Sequence, residues 1–444
     1  MKKINKIADL VATTKIPPHV FVAATSWLCR LLSAFLQIVS IRYLIQLLGI
    51  DNYAVFTLIS ALIAWIALTD MGIGTSLQNY ITEYKSQEKS YADWIASAGL
   101  CCFILLGVFL LLAWPIAAVL STHYLKNATL TDNSASTVYL SLVLFSMTCI
   151  GGVSYKIWFA EHNGWIANLV QTAGTITGLI LVISLGTIST HPSLTLSIFL
   201  YYLPTAMIPT LVLAGKTWSA IKKCRIRALK NKCIALFKRG SGFWLFSVVG
   251  TITLQTDYIV ISQKLSSNDI IAYGILTKIF SFILILYAAL LQAAWPALVE
   301  MRINKKFPAM KTAIRRYIAV GMALALLGII CFIGLKDIII HTLTPKHALS
   351  VSLTTILIFG FYLSIRIYSD TYAMVLQSLN KTNPLWIMTP IQAIIGFFCQ
   401  WNLADHYGIN GILIGLCLSF ILTAIPGLTF FTRKEFNNLL SAQI

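Results

Sequence analysis

The sequence predicts an all-α, polytopic membrane protein of about twelve transmembrane helices, six plus six. Three observations carry the membrane reading. Apolar runs of roughly 20 residues, enough to cross a hydrocarbon core of about 30 Å, recur from Val20 to Phe431. Of the 444 residues 58% are apolar and only 11% charged, about half the charged fraction of a soluble domain. Lysine and arginine collect in alternate loops, and no polar stretch is long enough to fold separately.

The spans read 20–48, 53–76, 94–119, 136–160, 165–186, 194–214, 240–262, 270–300, 316–340, 350–376, 383–402 and 408–430. The first follows Lys2, Lys3 and Lys6, which resemble a signal n-region. Its apolar run to Leu48 is too long for a signal h-region, so an uncleaved span is expected. The second carries Gly72 and Gly74 near its end. Between the third and fourth lies the longest outer loop, about Ser121 to Ala135. The fifth and eleventh are the weakest in pattern, being rich in small and polar residues. Pro204 and Pro209 interrupt the sixth, and Pro296, Pro390 and Pro426 mark the eighth, eleventh and twelfth. Such breaks suit helices that bend or line a cavity.

Loop charge sets the orientation. With the N-terminus inside, inner segments hold 24 of the 33 Lys and Arg residues and outer loops hold four, Lys126, Lys264, Lys336 and Lys346. Both termini are therefore expected in the cytoplasm. Nine of the inner cations fall between Lys216 and Arg239. This basic connection, 215–239, divides a six-span lobe, 1–214, from a second one with a short tail, 240–444. Equal orientation of the halves suggests a parallel repeat. The basic connection itself is read as a topology determinant and anionic-lipid anchor.

Charges within spans point to function, because burying one in hydrocarbon costs at least about 2.5–3.5 kcal/mol. At 1.5 Å per residue, Arg30 lies roughly 15 Å into the first span, near the midplane. A cavity role is favoured there over a structural partner. Lys278 in the eighth span and Asp257 in the outer half of the seventh either pair with each other or serve transport. Arg366 and Asp370, four apart on the tenth span, fit a helix-internal ion pair. Asp70, before Gly72 and Gly74, could cap or hinge the inner mouth. Arg42, Lys156, Glu161 and Glu300 lie near span ends and can snorkel. The deep charge is cationic at Arg30 and Lys278, which suits an anionic solute such as a diphosphate.

Several residue blocks resemble Wzx-type O-antigen and polysaccharide repeat-unit flippases. They are Arg42-Tyr43-Leu44, Leu48-Gly49, Asp51-Asn52-Tyr53 and Phe56, then Trp65, Asp70-Met71-Gly72-Ile73-Gly74 and Ser76-Leu77-Gln78-Asn79. Supporting matches are Asp257 with Ser262, Tyr273, Lys278, Arg366, Asp370 and Leu379-Asn380-Lys381. The resemblance implies the multidrug/oligosaccharidyl-lipid/polysaccharide exporter fold, two six-helix lobes around a central cavity that opens alternately to each side. It implies transport of undecaprenyl diphosphate bearing one oligosaccharide unit across the bacterial inner membrane, with the prenyl tail left in lipid. Implied partners are that lipid-linked oligosaccharide, membrane lipids and other polysaccharide-assembly proteins. Related peptidoglycan-precursor flippases hold diphosphate through arginines of the first, second and eighth spans. Arg30 and Lys278 match the first and eighth, whereas the second offers only Asp70. An ion gradient of H+ or Na+ is implied as the driving force, with Asp257 the first candidate for the coupling carboxylate and Asp70 a second, for coupling or gating.

Rival classes fit less well. A membrane polymerase or glycosyltransferase needs catalytic acids at one face, yet the longest outer loop offers only Asp132 and no DxD. The protein is therefore read as no enzyme. A multidrug exporter of the same superfamily is the alternative, but it would present acids to cationic drugs. The net charge of +18 would suit nucleic acid in a soluble chain; its placement, mostly in inner loops between spans, argues against that. Of nine cysteines, seven lie in apolar runs, and Cys224 and Cys233 show no CxxC or paired histidines. Neither zinc nor a disulfide is expected, nor any bound cofactor. The sequons at Asn127 and Asn380 are read as chance.

Overall fold

Each span predicted from hydropathy overlaps helix in the computed structural model, with the second, fourth and twelfth running across a break between helices. The structure describes residues 18–125, 134–161, 163–189, 192–224, 226–344, 351–379, 381 and 383–441. Lys2, Lys3, Lys6, Lys126, Asn127, Asp132, Lys346 and Asn380 lie outside these described residues. The helices are α1 Pro18–Ile66, α2 Ile73–Ser86, α3 Ala92–Val119, α4 Ser134–Gly151, α5 Val153–Ala160, α6 Gly164–Ile188 and α7 Leu194–Ile221. They continue as α8 Ile226–Lys264, α9 Ser267–Ile303, α10 Phe307–Leu343, α11 Leu353–Ser378, α12 Asn383–Ser419 and α13 Ile425–Ser441. No strand occurs among the described residues. Nine described helical stretches are long and apolar enough to cross a membrane, two of them containing two predicted spans each. The tenth predicted span, α11, is not among the nine; it carries Arg366 and Asp370.

Single glycines turn the chain where paired spans meet. Gly49, at φ 77°, breaks α1 between the first two spans, and Gly408, at φ 54°, breaks α12 between the last two. A side chain there would strain the left-handed backbone. The second span ends earlier than hydropathy suggests. Helix α1 stops at Ile66, a 3-10 turn runs Ala67–Asp70, and Met71 and Gly72 take positive φ before α2 starts. A Cβ on Gly72 would collide with the Gly240 carbonyl oxygen, so two backbones meet where only glycine fits. Trp244 Nε1 clamps the same turn by donating to the Leu68 carbonyl at 2.9 Å. In contrast, α7 runs unbroken through Pro204 and Pro209, as membrane helices often do.

The chain forms two compact units. The first comprises Met1–Gln37, Leu62–Val119 and Asn133–Leu245; the second comprises Ile38–Ala61, Leu120–Asp132 and Phe246–Ile444. The middle of α1 thus belongs with the later half of the chain. Tyr124 Oη donates to the Leu58 carbonyl at 3.1 Å, and Gly274 of α9 lets the Thr57 methyl approach closely.

In the first unit, Ile73, Leu77, Ile81, Trp94, Cys102, Ile157 and Leu236 share a buried apolar core. The basic connection is helical over most of its length, because α8 begins at Ile226. Its apolar side packs Leu229 and Leu236 into that core. Its cations meet acids and aromatic faces of α2 and α3. Lys232 bonds Asp93 at 2.6 Å and lies 5.3 Å over the Trp94 ring. Arg239 grips Glu83 in bidentate fashion at 2.7 and 3.1 Å and sits 4.8 Å over Tyr80. That contact holds the exposed Glu83 carboxylate below its usual pKa. Lys216 pairs with Glu161 at 3.1 Å. Hydropathy reads this stretch only as polar, whereas its fold comes from what the cations cover.

Candidate functional site

A chain of aromatic rings in the second unit flanks its buried charges. Phe280 stacks on Phe359 at 4.6 Å, and Phe359 meets Tyr362, which meets Phe420. Tyr258 and Tyr273 cross edge to face at 5.7 Å. Asp257 on α8 lies among them, only 7% exposed. One carboxylate oxygen accepts from Tyr273 Oη on α9 and the other from the Tyr258 backbone N–H, the latter at 2.9 Å. A buried carboxylate needs such donors to remain in place.

Arg366 on α11 is a cation in the same ring cluster. Its guanidinium donates to Tyr362 Oη at 3.2 Å and to Asp370 at 3.4 Å, and lies 5.7 Å from the Phe420 ring centre. Tyr362, Arg366 and Asp370 follow one another at four-residue spacing, so one face of α11 carries all three. The Arg366 Nε is buried and has no hydrogen-bond partner among the described residues. Helices α8 and α11 each place a carboxylate in this ring cluster, Asp257 on its two donors and Asp370 in its pair with Arg366. Such a group can accept one further positive charge, a proton or a small cation.

The other predicted residues lie elsewhere. Lys278 is half-buried on α9, five residues beyond Tyr273. Asp70 sits in the first unit and accepts from the backbone N–H groups of Gly72 at 2.9 Å and Gly74 at 3.3 Å. It caps the start of α2 and holds the break after α1. Arg30, also in the first unit, is exposed on α1 and has no ion pair among the described residues. Tyr273 and Tyr362 are the side chains bonded to these charges that reasoning from charge alone passes over. The spacing of Tyr362, Arg366 and Asp370 was the readable signal for one of them.

The MatE family model matches residues 245–402. A Salmonella typhi protein named as an O-antigen transporter is 38% identical over 416 residues, 93% of this chain and 96% of its own length. A Yersinia pseudotuberculosis protein named as an O-antigen export protein is 35% identical over 429 residues, 96% and 98% of the two chains. In fold, the inward-facing form of a multidrug-resistance MATE transporter matches with TM-score 0.76 at 12% identity, covering 95% of this chain and 100% of that one. The lipid II flippase MurJ in an inward closed form matches with TM-score 0.68 at 14% identity, covering 95% and 90%.

Proposed function

We propose that this chain, which belongs to the O-antigen transporter family, is a flippase for an oligosaccharide carried on undecaprenyl diphosphate. It moves the sugar-diphosphate head from the inner to the outer leaflet of the bacterial cytoplasmic membrane by alternating access, and makes or breaks no covalent bond. Near-full-length identity of 38% to a protein named as an O-antigen transporter carries this reading. The chemistry agrees. Bringing a bare diphosphate into low dielectric is prohibitive without fixed positive partners. Arg30 and Lys278 are such partners, and the Asp257–Tyr273–Arg366–Asp370 group supplies a place where H+ or Na+ can be taken up and released.

Deleting the gene in its host should leave lipid-linked repeat units on the cytoplasmic leaflet and remove the surface polysaccharide. Analysis of the accumulating intermediates by mass spectrometry checks this. Normal surface polysaccharide with altered drug sensitivity would instead support a multidrug exporter.

The charge split also places both termini in the cytoplasm. Asn268 and Asn304 are exposed at opposite ends of α9, which suits a labelling test. In a cysteine-free background, Asn268→Cys should react with an impermeant maleimide on intact cells and Asn304→Cys only after permeabilisation. The reverse pattern would invert the topology.

A further inference from the structure

One end of the second unit carries cations that the mechanism above does not use. Lys311 and Arg315 on α10, Tyr372 on α11, and Thr432, Arg433 and Asn437 on α13 line a cavity of about 200 Å³. A neighbouring cavity of about 690 Å³ shares Arg433 and Asn437 and adds Lys434. Four cations thus face these two spaces, and no carboxylate lines either. The adjacent acid, Glu435, is paired instead with Lys381 at 3.5 Å. None of the four cations has an ion pair among the described residues; Lys311 rests over the Phe436 ring at 5.5 Å.

Two further features give the place a shape. Thr432 is 2% exposed, and its Oγ1 has no hydrogen-bond partner among the described residues. Thr429, one turn before it, instead donates to its own helix at the Ile425 carbonyl. A buried hydroxyl left unpaired is costly, and an acceptor oxygen in the smaller cavity would satisfy it. The larger cavity follows one stripe of α13, from Ile425 and Pro426 past Phe430 to Arg433 and Lys434. Over roughly 10 Å it changes from apolar to cationic. An apolar track ending in clustered cations fits a lipid whose head is an anion.

The amount of charge selects the head. A phosphodiester carries one negative charge, whereas a diphosphate carries more and offers oxygens to two arginine forks and a hydroxyl at once. We propose that this end of the unit, where the charge split expects the cytoplasmic face, is a capture site for the diphosphate of a prenyl lipid. It lies apart in sequence from Arg30 and Lys278 and would be filled before the head reaches them; the assignment rests on the flippase reading.

Purified full-length protein, titrated separately with undecaprenyl diphosphate and with phosphatidylglycerol by native mass spectrometry, tests it. The Arg315→Gln/Arg433→Gln double variant should bind undecaprenyl diphosphate at least about tenfold more weakly, since each lost charge-assisted contact is worth about that factor or more. Thr432→Val, which keeps shape and removes only the hydroxyl, should weaken it several-fold. Phosphatidylglycerol binding should hardly change. Equal loss for both lipids would reduce the site to a general anionic-lipid anchor and overturn the proposal. Unchanged binding in both variants would overturn it while leaving the flippase reading intact. Failure of the unmodified protein to bind undecaprenyl diphosphate at all would overturn the flippase reading and this site together.

Discussion

Asp257→Asn is expected to accumulate to the level of the unmodified protein and to lose export by roughly 5- to 150-fold, the range of a typical coupling free energy of about 1–3 kcal/mol. Asparagine keeps the shape of the side chain and one acceptor oxygen for Tyr273 Oη or the Tyr258 N–H, the two donors that hold Asp257. What it removes is the charge, and with it the ability to take up H+ or Na+. A purely structural Asp257 predicts the opposite, because the packing survives. Arg366→Leu provides the contrast. Removing the guanidinium strands the Asp370 carboxylate that pairs with it at 3.4 Å on the same helix. Protein abundance should then fall along with export, and adding Asp370→Asn to Arg366→Leu should restore abundance, whereas adding Asp257→Asn should not. Immunoblotting of membranes and measurement of surface polysaccharide separate these cases. Well-expressed Asp257→Asn with normal export would remove Asp257 from the coupling mechanism. Collapsing the proton or the sodium gradient in vesicles then identifies the ion, since only the coupled one should stop transport.

Much of this was legible in the sequence, for a physical reason. Hydrocarbon forces each span to satisfy its own backbone, so apolar length alone locates helices. The third span, read as 94–119, is α3 Ala92–Val119. The same rule fails at the two places where lipid is not the only partner. After Ile66 the helix stops because Met71 and Gly72 adopt positive φ against Gly240, a contact between residues distant in sequence. The connection 215–239 looks like a loop by hydropathy but is mostly helical, since Lys232 and Arg239 are held by Asp93, Glu83 and the rings of Trp94 and Tyr80. The site divides likewise. Asp257, Arg366 and Asp370 stand out because a charge in a membrane helix is expensive. Tyr273 carries no such penalty, being an apolar ring with one polar handle. Only the fold shows that it donates to Asp257.

Arg30→Ala is expected to abolish export while the protein still inserts at normal abundance, and Arg30→Lys is expected to retain part of the activity. Arg30 lies on α1 near the midplane of the first span, exposed on the surface of its own unit. A structural ion pair there needs an acid, and Arg30 has none among the described residues. Removing a cation that balances a buried carboxylate would strand that charge and lower abundance by a cost of about 3–5 kcal/mol. Removing one that waits for a diphosphate leaves folding alone and removes the counter-charge at the point where desolvation of the head costs most. Lysine keeps the charge but loses the planar fork that contacts two phosphate oxygens at once, hence the intermediate rank. The order unmodified, then Arg30→Lys, then Arg30→Ala, at equal abundance, is the signature of phosphate contact. Equal export by all three would exclude Arg30 from binding. A parallel fall of abundance and export, rescued by neutralising a nearby acid, would make it a structural residue instead.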